Sequence, residues 1–453
     1  MRKIIIFNFL FVFLICSQSA VFAQDHGHEG HDHSTHENHD HSTDDHDTHS
    51  ATADSHDDHG AEAHGESHHG HSEVICGVEV DHSFEVGKTA MHHIGDANVY
   101  SIGPLQLPLP VIAYSNDGGL DIFSTAKFKA DLLGHGDGHA AYNGYVLHEG
   151  SLKRVAPGQN FPNGEVKIAG FVPKEEIDAK GKKKEVMYVC DFNELYRIEN
   201  KSTADAGLFG GGITSFYDFS PTKNVVSMIL VTLFLGFVFR RVAKSYKTRE
   251  GKEPKGLQSF METFVVFIRD EVAKPFLGNK WEKYFSLLLA IFFFILGLNL
   301  FGQIPFFGGS NVTGNLAVTM VLAIIAFLVT NISGNGHYWK HLLAAPGVPW
   351  FVKPILIPVE IMGIFIKPLT LMLRLFANIT AGHIVLVVFV SLIFIFGDSG
   401  QNVGGALGAS VGSTLLTLFM MAIELIVALV QAFVFTILTA SYIGAATEEV
   451  EHH

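Results

Sequence analysis

From Pro354 to Phe396 the chain is apolar almost without a break, too long a run for the core of a water-soluble domain. As one straight helix Ile355 to Phe396 would measure roughly 60 Å. That is about twice the hydrocarbon thickness of a bilayer, so a single perpendicular crossing is excluded. The segment must lie strongly tilted or be broken, and Pro358 and Pro368 offer points for a kink. Val403 to Ile443 is equally long and demands the same explanation. Two long, tilted, adjacent membrane helices are therefore predicted. Gly404, Gly408 and Gly412 form a small-residue stripe expected to let helices approach closely.

Within the first of these runs stands Arg374. A charge at bilayer depth costs from about 2.5 to more than 10 kcal/mol, so an intramembrane arginine points to function rather than to stability. Glu360 and Lys367 precede it at steps of seven. Seven residues are nearly two helical turns, so the three share one stripe, with Asn378 one turn further on. Glu424 and Gln431 repeat the seven-residue step on the last run. His383 is nine residues past Arg374, about 180° around the helix, and should face a different neighbour. His383 and Glu424 both exchange protons and are expected to pair across the two long helices. Arg374 does not lose its proton. It is a poor relay but a good fixed charge, one that favours the ionised form of a carboxylate on a partner.

Three shorter spans precede the long pair. Asn224 to Phe239 is the first, followed by Arg240, Arg241, Lys244, Lys247 and Arg249, a cytoplasmic signature. Leu257 to Phe276 reads as an amphipathic helix of mixed charge at the cytoplasmic interface. Tyr284 to Ile304, ended by Pro305, is the second span, and Asn315 to Ile332 the third. The loop after it carries His337, Lys340, His341 and Lys353, so it is again placed on the cytoplasmic side.

The N-terminal half is different in kind. Residues 1–23 have the pattern of a secretory signal: Arg2 and Lys3, an apolar core from Ile4 to Cys16, and small residues ending at Ala23. Residues 24–72 form a tract with fifteen histidines, thirteen acidic residues and no Lys or Arg, which holds most of the formal charge of −14. Too few apolar groups are present there to offset chain entropy, so the tract is expected to be disordered. His26, His28, His31 and His33 are candidates for loose binding of periplasmic divalent metal ions, set against the plain reading of a solvated tail. No firm metal site is marked. Residues 73–205 alternate short β-rich runs with Gly, Pro and Asn turns, which suggests a small α+β periplasmic domain. Cys76 and Cys190 lie where pairing is chemically allowed, and the sequence leaves open whether they pair. With charge near neutral outside the acidic tract, a basic surface for nucleic acid is not indicated.

The expected fold is thus an all-α polytopic membrane protein of about five spans, two of them long and tilted, with an interfacial helix and the α+β periplasmic domain. The membrane domain is assigned to residues 206–453.

On these residues the chain resembles subunit a of the F-type ATP synthase. The resemblance covers roughly Asp218 to Glu451. It is carried by Lys367-Pro368, by Leu373-Arg374-Leu375-Phe376-Ala377-Asn378, by Ala381-Gly382, by Asn299 and Pro305, by Gln431-Ala432-Phe433-Val434-Phe435, and by Glu448-Glu449. It implies a proton-translocating stator subunit with two offset half-channels against a ring of c subunits. Its partners would be that ring, the b subunits of the peripheral stalk and the rest of the synthase. The site would be a bacterial inner membrane, with the C-terminus cytoplasmic. It implies that Arg374 faces the ring carboxylate, with Asn378 and Gln431 beside it, Glu360 on the exit side, and His383 and Glu424 as the inlet pair. No cofactor is implied, and the subunit is not a catalyst by itself. Two departures stand out. Many bacterial members carry Glu at the first inlet position and His at the second; here they are exchanged, as in mitochondrial members. Asn315 stands where an acid is expected. The rival reading is a divalent-metal (zinc) transporter with a His-rich tail. It would need clustered ligands within the spans, and no His-x-x-x-His or His-x-x-x-Asp pair occurs there.

Overall fold

The computed structural model describes residues 72–448 apart from 82–85, 88–94, 103–104, 131–135, 178–180, 182, 193, 204–211, 305–309, 345–347 and 398–401. The leader, the histidines of the acidic tract, Pro305 and Glu449 lie outside the described residues.

The N-terminal part is built of strands. A hairpin of β1 (Ser72–Ile75) and β2 (Val78–Asp81) comes first, then a hairpin of β3 (Val99–Ile102) and β4 (Leu105–Pro108). Strands β5 (Pro110–Ser115) and β6 (Gly119–Ser124) form an antiparallel pair. A seven-stranded sheet follows from β7 (Ala140–Tyr142), β8 (Tyr145–His148), β9 (Ser151–Val155), β10 (Glu165–Lys167), β11 (Gly170–Ile177), β12 (Lys183–Cys190) and β13 (Leu195–Glu199). Its order is β10-β7-β8-β9-β13-β12-β11. The last strand, β14 (Phe216–Asp218), returns to pair with β5. The strands thus run past the expected boundary at 205, up to the first membrane helix. This part is β-rich, and among its described residues helix occurs at 86–87 and in a short 3-10 turn, Thr125–Phe128. Residues that alternate in β5 and β8 feed one core of Val111, Ala113, Phe128, Tyr145, Leu147 and Phe216. Tyr145 is fully buried and its hydroxyl donates to Asp121 at 3.1 Å. Burial pushes this phenol up to about 12, so it stays a donor at any physiological pH. Cys76 and Cys190 form a disulfide, with Cα atoms 6.3 Å apart, that ties the first hairpin to β12.

Eight helices follow among the described residues. They are α1 (Lys223–Thr248), α2 (Leu257–Phe267), α3 (Lys274–Leu277), α4 (Trp281–Gly302), α5 (Leu316–Ser333), α6 (Gly336–Ala344), α7 (Lys353–Phe396) and α8 (Val403–Thr447). A π-helical turn, Ile268–Ala273, joins α2 to α3. There Asp270 takes both Arg269 at 2.8 Å and Lys274 at 2.7 Å, which gathers the mixed charge of the amphipathic segment on one side. Five runs are long and apolar enough to cross a membrane: Lys223–Thr248, Leu257–Gly302, Leu316–Ser333, Lys353–Phe396 and Val403–Thr447. The loop expected after the third span is partly helical, as α6. Asn335 just before it is held by the other end of the bundle, with its backbone N–H donating to Ala446 O and its amide to Thr447 O.

α4 is the centre of the bundle. In its run 72% of the most apolar stretch is buried within the chain, against 28% on α8 and 11% on α7. The two long helices pack along each other but offer most of their surface outward. α7 continues through both Pro358 and Pro368 without a break in assignment. Among the described residues nothing stands within 4 Å of a Cβ built at Gly408 or Gly412, so these two positions of the glycine stripe make no close helix contact within the chain. Close approach occurs instead at Gly444, where an added Cβ would strike the carbonyl oxygen of Phe276.

The disulfide gives a direct check. Denatured, unreduced chain should leave Cys76 and Cys190 closed to a maleimide-polymer reagent, and reduction should open both. Labelling of either cysteine before reduction contradicts the pairing.

Candidate functional site

The polar groups of α7 are sorted by which side of the helix they occupy. Leu371, Leu375 and Ile379 are buried in the bundle core, which turns Leu373, Arg374, Ala377, Asn378 and Ala381 outward. Among the described residues no carboxylate pairs with Arg374. The guanidinium is thus a fixed cation on the open face of an apolar helix, next to the amide of Asn378.

Glu360 and Lys367 have partners within the chain. His341 on α6 approaches Glu360 with Nδ1 at 3.4 Å from Oε1, while Oε2 of Glu360 is buried without a hydrogen bond. The ammonium of Lys367 lies over the ring of Tyr442 on α8, 5.4 Å from its centroid. Lys367 also lines a small pocket with Thr330, Asn331, Tyr338 and Tyr442. The stripe Glu360–Lys367–Arg374 therefore passes from α6, over α8, to the open face.

His383 lies on another side. Its Nε2 is 3.6 Å from Oε1 of Glu424, bridging α7 and α8. That separation is in ion-pair range but outside hydrogen-bond range, and among the described residues neither Glu424 oxygen has a hydrogen-bond partner. Glu424 is 4% exposed, as deeply covered as the apolar core. A buried carboxyl with two orphan oxygens is costly unless water or a proton visits it. Gly382 makes the space: a Cβ there would stand 3.1 Å from Glu424 Oε1. Gln431, two turns beyond Glu424, is also buried.

A hydrogen-bonded collar surrounds the pair, and sequence reasoning missed most of it. Asn299 of α4 donates to the carbonyl of Ala428, one turn past Glu424, and accepts from Thr313 at 2.7 Å. Thr380, one turn before His383, donates to Gly314 O. Ser310 of the same loop donates to Asn224 at the start of α1. That helix takes its cap from the β-domain: Thr222 makes no side-chain cap, and Asp96 Oδ1 accepts from the backbone N–H of Asn224 at 3.1 Å. Lys223 is buried there, within electrostatic reach of both Asp96 and His383. In sequence Lys223 looks like an ordinary cation flanking a span. The density of polar residues from Ser310 to Asn315 between two apolar runs was the one local signal available. Asn315, noted for replacing an acid, caps α5 by accepting from Ala317 N–H at 2.9 Å.

Residues 225–444 match the family model described as ATP synthase A chain, and residues 89–201 match a domain of unknown function. The chain is 40% identical over 242 residues to ATP synthase subunit a 2 of Prosthecochloris aestuarii, covering 52% of this chain and 71% of that protein. It is 40% identical over 242 residues to ATP synthase subunit a of Chloroherpeton thalassium, covering 52% and 69%. With ATP synthase subunit a of an Anaeromyxobacter species it shares 35% identity over 280 residues, covering 58% and 64%.

Proposed function

This chain belongs to the ATP synthase A chain family, and on that premise we propose that it is the proton-translocating stator subunit of an F-type ATP synthase, holding two offset half-channels against a c-ring. The observation that carries the reading is Arg374, a permanent cation turned outward from the long helix with no carboxylate partner among the described residues. Facing lipid it would be expensive; facing an ionised ring carboxylate it is satisfied.

Each group then has a chemical task. Protons enter from the periplasm past His383 and Glu424, whose buried oxygens have no competing partner. They load a ring carboxylate and travel with the ring. On return the carboxylate meets Arg374 and must give up its proton, which leaves past Glu360 and Lys367. Because Arg374 cannot pass a proton on, it also blocks a direct leak between the two half-channels. Asn378 and Gln431 supply neutral hydrogen-bonding groups beside this exchange. Every proton crossing 100 mV delivers about 2.3 kcal/mol, and the offset between entry and exit turns that energy into rotation. The subunit performs no bond chemistry alone; ATP is made elsewhere in the complex, which it joins through the c-ring and the b subunits.

The placement follows the charge pattern. Arg240, Arg241, Lys244, Lys247 and Arg249 at the far end of α1, and His337, Lys340 and His341 on α6, mark the cytoplasmic side of a bacterial inner membrane. That puts the β-domain, and the signal and His-rich tract before it, on the periplasmic side. Residues 1–23 are then the signal, 24–72 the His/Asp-rich tract, 73–205 with β14 the periplasmic domain, and the remainder the membrane domain. The zinc-transporter alternative does not fit the family.

Cysteine pairing tests the ring-facing assignment. A cysteine at Asn378 should cross-link to one placed beside the ring carboxylate in the assembled complex, and a cysteine at core-facing Ile379 should not. Equal yields, or none at Asn378, contradict it. For the inlet pair, Glu424→Gln and His383→Ala should each lower passive proton flux about tenfold or more with assembly intact. Acting as one unit, the double variant should be little worse than either single variant. Fully multiplicative losses would separate the two groups.

A further inference from the structure

The three-stranded sheet β14-β5-β6 has one face packed on the β-domain core and one face open. The register puts Ile112 opposite Ile122, Tyr114 opposite Leu120, and Tyr217 beside Tyr114. Val111, Ala113 and Phe216 point into the core. Apart from Ser124 at the edge, opposite Pro110, the outward set is apolar or aromatic, and among the described residues of these strands it includes no charged side chain. Leu120 is 61% exposed and Ile122 68%. Phe219, directly after β14, is exposed as well and its ring stacks with Tyr217.

A sheet face open to water ordinarily alternates to polar residues, and contiguous apolar patches mark a covered surface. Here the chain itself limits what covers it. Phe219 stands four residues before Lys223, the first residue of α1. Four extended residues reach at most about 14 Å, and the interfacial layer outside the hydrocarbon is roughly 5–8 Å deep on each side. The link is not a free tether. The backbone N–H of Phe219 donates to Ile112 O at 2.8 Å, and Ser220 Oγ accepts from Ile112 N–H at 3.0 Å. Asp218 is fixed by Asn98 and by Lys201, and Lys223 N–H donates to Ala97 O. The sheet is therefore pinned to the first turn of a membrane span.

We propose that the outward face of β14-β5-β6 is a lipid-docking surface that seats the β-domain on the bilayer beside α1. Tyr114, Tyr217 and Phe219 have the composition of an interfacial aromatic belt, with rings toward the acyl boundary and the two hydroxyls toward headgroups. Leu120 and Ile122 add apolar area with no charge to desolvate. This rests on α1 crossing the membrane, which the proposed function shares, but not on any step of the proton path.

A photoreactive benzophenone amino acid at Ile122, and separately at Leu120, in the full chain within the assembled complex in native membranes tests the proposal. Both side chains are exposed, so neither replacement disturbs the core. Illumination and mass analysis of the chain should give a phospholipid adduct at both positions. An adduct with another protein subunit, or a chain free of adduct at both, overturns it. Ring cross-linking at Asn378 reports separately on the proposed function, so failure of one reading does not imply failure of the other.

Discussion

A guanidinium that keeps its proton, set on the surface of an apolar membrane helix, needs an anion, and among the described residues of the chain no carboxylate pairs with it. Much of the membrane domain can be understood as the means of holding Arg374 in that position. Leu371, Leu375 and Ile379 anchor the opposite face of α7 in the core, so the helix cannot rotate Arg374 inward without exposing three large side chains. Burying each such side chain is worth about 1.5–3 kcal/mol. The central α4 carries the packing, which frees the two long helices to present open surface.

The same helix serves a second neighbour from its other side. His383 meets Glu424 of α8, and the space for that carboxylate depends on the missing side chain at Gly382. Around the pair runs a chain of hydrogen bonds from Asp96 in the β-domain, through Asn224 and Ser310, to the loop that holds Thr380 and Asn299. The strands that precede the membrane domain are thereby coupled to the packing around His383 and Glu424 rather than strung before it. Lys223 is buried at that junction.

How much of this was legible in the sequence depended on whether the signal was local. Membrane helices announce themselves by length and hydropathy, so the five spans fall where the apolar runs are. The periodicity of seven separated the Arg374 stripe from His383, because helical phase is fixed by counting residues. Asp96 and Lys223 were not legible: they act through contacts across 127 positions and more of chain, if one counts from Asp96 to Lys223, and no spacing rule spans that. The glycine stripe shows a related limit. Gly404, Gly408 and Gly412 share a face, but sequence does not say whether a neighbour occupies it, and within this chain none does at Gly408 or Gly412.

The central claim, that Arg374 is the stator charge, is tested most directly by ATP-driven proton uptake in inverted membrane vesicles carrying Arg374→Gln, with assembly of the complex confirmed first. The account predicts that acidification is lost while the complex remains intact. Unchanged pumping by the assembled variant would contradict it.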